Sequence, residues 1–455
     1  MFTKRIHLIA IGGSVMHNLA IALHKKGYTI TGSDDAIYEP SSSRLAQYGL
    51  LPTELGWHEE HITPDIDMII LGMHARSDNP ELCKAQSLGI KIVSYPEFIY
   101  EQSKNKTRVV IGGSHGKTTI TSMILHVLKQ VAANFDYLVG AQLKGFDTMV
   151  SITDDASILV AEGDEYLASP IDLRPKFHVY KAHIAVISGV AWDHINVFPT
   201  YEQYLEQFSL FLKTIEPNGA VIYSADDQQL VQLIEKDTSN ILKIPYTTLP
   251  NEVREGVTYL IVENQLIPLK IFGNHNLQNM NAARLVCNQL GITDQAFIAA
   301  IQSFDGAARR LELLAQNDTV HIFKDFAHSP SKLKATVKAV RQQFFHRKLT
   351  ACIELHTFSS LNPDFLQQYK ATLDDADTAV VFINKSTFQQ KNRQPFTKET
   401  ILQAFNRSDL IYFDNPDDFK AYLEHLKLEN HNLLLMSSGN YGGIDVQKIA
   451  NQLIK

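Results

Sequence analysis

Cysteine is scarce. Cys83, Cys287 and Cys352 are the only three in 455 residues, too few and too scattered for a disulfide framework or a zinc site, and they fit a reducing cytoplasm. No apolar run is long enough to cross a bilayer. The apolar stretch behind Lys4 and Arg5 stops after Ile11 at Gly12-Gly13, which suits a buried strand better than a signal peptide. A surplus of positive charge is missing as well. The 42 Lys and Arg against 49 Asp and Glu give a net charge of -7, which argues against a broad nucleic-acid-binding face but leaves room for local phosphate pockets. With 45% hydrophobic residues the chain can bury large cores. Its length suits about three domains.

What the chain does have is Gly113-Ser114-His115-Gly116-Lys117-Thr118-Thr119. This run follows the apolar Val109-Val110-Ile111 and opens a segment where Ile120, Met123, Ile124, Val127 and Leu128 recur at helical spacing. A glycine-rich turn between a buried strand and an amphipathic helix lets backbone N–H groups converge on an anion at the positive end of the helix. Lys117 would reach the outer phosphates of a nucleotide and the Thr118 hydroxyl would ligate magnesium. The first glycine of the full Walker pattern is missing, its place held by Ile111, so the loop is a shortened G-x-x-G-K-T.

The N-terminal part reads as a nucleotide-binding α/β unit. A strand over 7–11, the turn Gly12-Gly13-Ser14, a helix through 19–24 and a strand over 28–32 lead to Ser33-Asp34. An acidic residue about twenty positions after the glycines is where a Rossmann fold meets a ribose. The third glycine of that fingerprint is absent, and the turn continues Val15-Met16-His17, so a nicotinamide-dependent oxidoreductase is a rival reading on weak grounds. Strands are also expected over 68–71 and 90–93. The loop after the first carries His74, Arg76 and Asn79, which face a ligand or are simply solvated. The polar stretch 102–108 is the best linker candidate.

Beyond the phosphate loop, a strand over 158–161 ends in Glu162-Gly163-Asp164-Glu165-Tyr166. Carboxylates there are placed for a magnesium ion, Glu162 first, although a solvated turn has the same composition. A strand over 184–187 leads to Asp193-His194, where a metal or substrate role and a satisfied loop histidine weigh equally. Residues 197–270 contain helix signals over 201–212 and no recognisable chemistry. The run Gly273-Asn274-His275-Asn276-Leu277-Gln278-Asn279 opens a helix whose asparagines suit an adenine edge or a helix cap equally. Apolar runs over 320–323, 350–353, 378–383 and 433–436 alternate with helical stretches such as 331–344, as in βαβ units.

Taken in order, these motifs resemble the Mur ligases, ATP-dependent amide-forming enzymes of bacterial peptidoglycan metabolism. The matches are residues 113–119, the acidic turn 162–165, Asp193-His194, the H-N-x-x-N start at His275, Asn276 and Asn279, Arg309-Arg310-Leu311-Glu312, Asp325-Phe326-Ala327-His328-Ser329-Pro330 and Met436-Ser437-Ser438-Gly439-Asn440-Tyr441-Gly442-Gly443. Two departures stand out: Ser188-Gly189 where an asparagine is usual, and His328-Ser329-Pro330 for the commoner His-His-Pro.

The resemblance implies an α/β architecture of three domains: a Rossmann-like UDP-sugar domain over 1–104, a central P-loop ATPase over 105–306 and a Rossmann-like amine-substrate domain over 307–455. It implies ATP and Mg2+ as cofactors and UDP-N-acetylmuramate as substrate. Lys117, Glu162, His194 and Arg310 would carry the chemistry, with Arg309 the alternative to Arg310. Thr118, Glu162 and His194 would hold metal, and residues 113–119, His275, Asn276, Asn279, Arg310 and Asp325 would bind ATP. Gly12, Gly13, Ser14, Ser33, Asp34, His74, Arg76 and Asn79 would meet the UDP-sugar. Tyr166 after the acidic turn, where the L-alanine-adding branch usually has serine, and Asp172-x-Arg174-x-Lys176-Phe177 resemble the branch that adds L-alanyl-γ-D-glutamyl-meso-diaminopimelate. Tyr166, Arg174, Lys176, His328 and His356 are the candidates for that amine substrate, with L-alanine the alternative. No nucleic acid and no membrane insertion are expected, a cytoplasmic setting is, and the oligomeric state is left open. A non-enzymatic nucleotide switch would share the phosphate loop and is the other rival.

Overall fold

Val109, Val110 and Ile111 are fully buried, as a continuous β-branched run in a parallel sheet should be. They belong to the strand Thr107–Gly112, central in a seven-stranded sheet ordered Leu242–Tyr246, Ala220–Ser224, Ile184–Ile187, Thr107–Gly112, Ile158–Glu162, Phe135–Leu138, Val150–Ser151. Only the last strand pairs antiparallel. Register brings the strand ends together. Ile111 lies opposite Glu162 and Gly112 opposite Ile187, so three strands end side by side, and the crevice beyond such ends is where α/β sheets bind ligands. Phe177, Phe208 and Phe211, with ring centroids 4.5 and 5.5 Å from Phe177, fill the layer beneath.

The computed structural model describes residues 4–143, 145–192, 197–307, 310–391 and 393–455. They divide into one unit of Met1–Thr247 with Asn279–Ile301 and another of Thr248–Gln278 with Gln302–Lys455. The first unit also contains a parallel four-stranded sheet, ordered Thr29–Ser33, Arg5–Ile9, Met68–Leu71, Lys91–Ser94. The helix Ser14–Lys25 buries Met16, Leu19, Ala20 and Leu23 in its core.

The stretch 102–108 is not a linker. It is the end of the helix Tyr95–Ser103 and the start of the strand Thr107–Gly112. Arg108 is 2% exposed, donating from Nε to the carbonyls of Tyr180 and Lys181, from Nη1 to those of Ser103 and Lys104, and from Nη2 to Glu216 at 2.7 Å. Lys106 is buried against Asp136. Charged composition read as solvated because lone Lys and Arg are seldom buried, and here each has its partners.

The second unit holds a six-stranded sheet ordered Glu312–Gln316, Val320–Asp325, His431–Met436, Lys348–Glu354, Thr378–Phe382, Ile411–Phe413, parallel except for its first pair. Phe382, Phe419 and Tyr441 stack inside it. A separate three-stranded antiparallel sheet, Asn251–Arg254, Val257–Val262 and Gln265–Leu269, precedes it in sequence.

Candidate functional site

The turn between the strand Thr107–Gly112 and the helix Lys117–Gln130 requires its glycines. Gly113 and Gly116 have φ of 111° and 71°, the left-handed region that a side chain disfavours. A Cβ on Gly116 would stand 2.2 Å from Asn279 Oδ1, and one on Gly113 would stand 2.5 Å from Ser188 N. The helix has no side-chain cap, which leaves its first N–H groups for an anion. Ser188 Oγ donates to the carbonyls of Gly112, at 3.2 Å, and His115, while the Gly189 carbonyl accepts from Ser114 N at 3.0 Å and Ser114 Oγ at 3.1 Å. Ser188-Gly189, read from sequence only as a departure, therefore brace the loop from the neighbouring strand.

The acidic turn faces the same loop. Glu162 accepts from Thr118 Oγ1 at 2.8 Å and from Gly140 N at 2.9 Å. Glu165, 1% exposed, accepts from Gly113 N at 2.8 Å and from Lys117 Nζ at 2.7 Å. Asp164 pairs with Lys176 at 2.8 Å. Burial works to lower the pKa of Lys117, but Glu165, Asp164 and Glu162 outweigh it and hold the ammonium above the usual lysine value. The hydroxyl of Thr118 and the carboxylate of Glu162 are hard oxygen donors of the kind magnesium takes. Among the described residues no group of three or more His, Cys, Asp or Glu side chains is placed to hold a metal ion. Asp193 and His194 lie outside the described residues, as does Arg309.

In the four-stranded sheet, Gly12 N donates to Asp34 Oδ2 at 2.7 Å, and a Cβ on Gly12 would meet that oxygen at 2.9 Å. Burial raises the Asp34 pKa against the pull of the Gly12 and Ala36 N–H groups. Ser33 bonds the buried Glu81 carboxylate through its hydroxyl and the N–H groups of Ala10 and Ile11 through its carbonyl. Asn79 Oδ1 caps the helix Pro80–Ser87 by accepting from Leu82 N at 3.1 Å. His74 and Arg76 are exposed, Arg76 pairing with Asp78 at 3.0 Å. Ser14 Oγ lies 3.7 Å from Met149 Sδ.

Of the amine-substrate candidates in this unit, Lys176 Nζ sits 5.7 Å from the Tyr166 ring centroid and 5.6 Å from that of Tyr95. Arg174 is paired with Asp172 at 2.7 Å and Glu97 at 3.3 Å. Both cations thus already face carboxylates.

The second unit carries the other candidates. Asp325 ends its strand and accepts from Leu311 N and Ala327 N, each at 2.6 Å, so it orders the segment bearing Arg310. Burial raises its pKa against the nearby Arg310. The Arg310 guanidinium lies 4.7 Å from the Phe326 ring centroid. Asn276 Nδ2 donates to the Phe272 carbonyl at 2.9 Å, and burial lowers the His275 pKa to about 4, leaving it neutral at neutral pH. Asn279, in the same helix, belongs to the first unit. His328 Nδ1 lies 2.9 Å from the Phe326 carbonyl, and His356 Nε2 lies 3.2 Å from Ser438 Oγ.

Three domain families match in order: the Mur ligase family catalytic domain over 5–107, the Mur ligase middle domain over 111–287, and the Mur ligase glutamate ligase domain over 309–439. A UDP-N-acetylmuramate–L-alanine ligase of Sulfurihydrogenibium sp. is 30% identical over 385 residues, covering 83% of this chain and 82% of that protein. The chain is a Mur ligase. It is an ATP-dependent ligase of peptidoglycan synthesis, which sets aside both the oxidoreductase and the non-enzymatic switch. A second relative of this Mur ligase, the UDP-N-acetylmuramate–L-alanine ligase of Carboxydothermus hydrogenoformans, is 26% identical over 450 residues, 96% of this chain and 94% of that one. Among solved structures the fold is shared by MurC of Thermotoga maritima (TM-score 0.71, 19% identity, 99% and 98% of the two chains). It is shared too by a murein peptide ligase of Psychrobacter arcticus (TM-score 0.65, 22% identity, 99% of each chain).

Proposed function

We propose that this Mur ligase joins the lactyl carboxylate of UDP-N-acetylmuramate to L-alanyl-γ-D-glutamyl-meso-diaminopimelate, in peptidoglycan recycling, with release of ADP and phosphate. A carboxylate does not react with an amine at neutral pH until one oxygen becomes a leaving group. ATP supplies that activation: the carboxylate attacks the γ-phosphate to give an acyl phosphate, and the peptide amine then displaces phosphate through a tetrahedral intermediate. Because phosphoryl transfer spreads charge over oxygens, the protein's part is positioning and electrostatics.

Lys117 reaches the transferring phosphate from the braced loop, and the uncapped helix start offers its N–H groups to the phosphates. Thr118 and Glu162 would hold magnesium, which neutralises phosphate charge when bound. Arg310 is assigned to the developing charge on the phosphoryl group, with Asp325 ordering its segment. The reading gives the UDP-sugar to 1–104, ATP to 105–306 and the amine to 307–455, in a cytoplasmic setting. Among the described residues no helix is long and apolar enough to cross a membrane.

One observation carries the choice of amine. Tyr166, where the L-alanine-adding branch usually has serine, follows the acidic turn directly and stands beside Lys176, an arrangement similar to the branch that adds the tripeptide. The second reading is L-alanine, the amine in the names of the Sulfurihydrogenibium and Carboxydothermus relatives. A competition assay with UDP-N-acetylmuramate, ATP and magnesium decides between them: the tripeptide should be coupled much faster, with one ADP per amide. Preference for free L-alanine would reverse the choice and leave the ligase standing.

A further inference from the structure

Glu165 is a carboxylate for which the proposed ligation chemistry has no use. Both of its oxygens are bound by the phosphate loop, Oε1 by Gly113 N at 2.8 Å and Oε2 by Lys117 Nζ at 2.7 Å. Lys117 donates in addition to the Gly113 carbonyl at 2.8 Å, so carboxylate, ammonium and one residue of backbone close a ring. An ammonium has three protons. Two are committed to this ring, and the third is left for a phosphate oxygen. A lysine carries its charge on a flexible four-carbon stem, and only such tethering fixes where that charge points.

The same carboxylate sets the local charge. Glu165 places a full carboxylate charge on the phosphate loop itself, 2.7 Å from Lys117 Nζ, with Glu162 and Asp164 in the same turn. That carboxylate repels polyphosphate arriving without a cation more than polyphosphate carrying a divalent cation.

We propose that Glu165 is the positioning residue of Lys117 and the group that makes the phosphate loop discriminate against nucleotide lacking its divalent cation. The proposal rests on the ATP-ligase reading and is indifferent to the choice of amine. Glu165 acts through Lys117 and the charge of the turn, whereas Glu162 is the acid beside Thr118.

Glu165→Gln keeps the shape and one acceptor and removes the charge. Calorimetric titration of the full chain with ADP in excess chelator, repeated with magnesium, reads the discrimination, and kcat against KM for ATP reads the positioning. Metal-free ADP should bind about tenfold tighter while magnesium-ADP changes less, and kcat should fall by about tenfold without a matching rise in KM. Unchanged metal-free affinity overturns the proposal, and so does an unchanged kcat. Glu165→Asp retains the charge at shorter reach, so it should keep the weak metal-free binding yet lose turnover. An aspartate variant with wild-type kcat overturns the positioning role whether or not the glutamine variant folds. ADP titration involves no amine, and kcat can be read with whichever amine is coupled, so a wrong choice of peptide cannot be mistaken for a failure here.

Discussion

At the scale of single residues, the proposed chemistry depends on two side chains of opposite charge. Lys117 would face the transferring phosphate, and the carboxylates around it hold its pKa above the usual lysine value. Lys117→Ala should leave the fold intact and reduce ligation by about 10^2-fold or more, the usual worth of one preorganised donor at developing charge. Product formation at the wild-type rate would take the loop out of the mechanism. Glu162 has one oxygen on Thr118 and the other on Gly140. Glu162→Gln keeps that shape and loses the charge that would face magnesium, so the magnesium concentration needed for half-maximal rate should rise while UDP-N-acetylmuramate binding stays the same. A magnesium titration that superimposes on the wild type would make Glu162 a purely structural brace.

Strands and turns show where sequence is a good guide and where it is not. Met68–Leu71 and Ile184–Ile187 begin and end where the apolar runs do, because strands covered on both faces are continuous in composition. The small antiparallel sheet 251–269 was hidden in a stretch that reads as polar, since its residues are half-exposed and alternate. Its signal lay in the turns: Glu255-Gly256 and Glu263-Asn264 take positive φ at both positions, the two-residue hairpin geometry. In the site, Glu162 was legible as the acid at a strand end, but the closure of Glu165 onto Lys117 needs the turn to fold back, which spacing cannot reveal. Ser188 is a similar case, and Ser188→Ala tests it. Losing the hydroxyl that holds the Gly112 and His115 carbonyls should weaken ATP binding by about tenfold, about one buried hydrogen bond, with little change in overall stability. Wild-type ATP affinity in that variant would mean the loop is held by its glycines alone.

For the molecule as a whole, the division into two units has a thermodynamic signature. Nucleotide that binds the unit carrying the phosphate loop should raise the stability of that unit by about 2.7 kcal/mol at a hundredfold excess over its Kd. A calorimetric scan should then resolve two transitions and move one of them with magnesium-ADP. A single transition shifting as one would show that the units unfold together. Arg108 has a consequence at this same scale, for ancestry and for engineering. Its acceptors are mostly main-chain carbonyls, those of Ser103, Lys104, Lys106, Tyr180 and Lys181, with the Glu216 carboxylate beside them. The junction is therefore written in the path of the backbone and hardly at all in the identity of neighbouring side chains. A chimera carrying a foreign N-terminal segment keeps the anchor if its last helix stops at the same place, and one whose helix stops a turn short takes from Nη1 of a buried guanidinium the acceptors at 103 and 104.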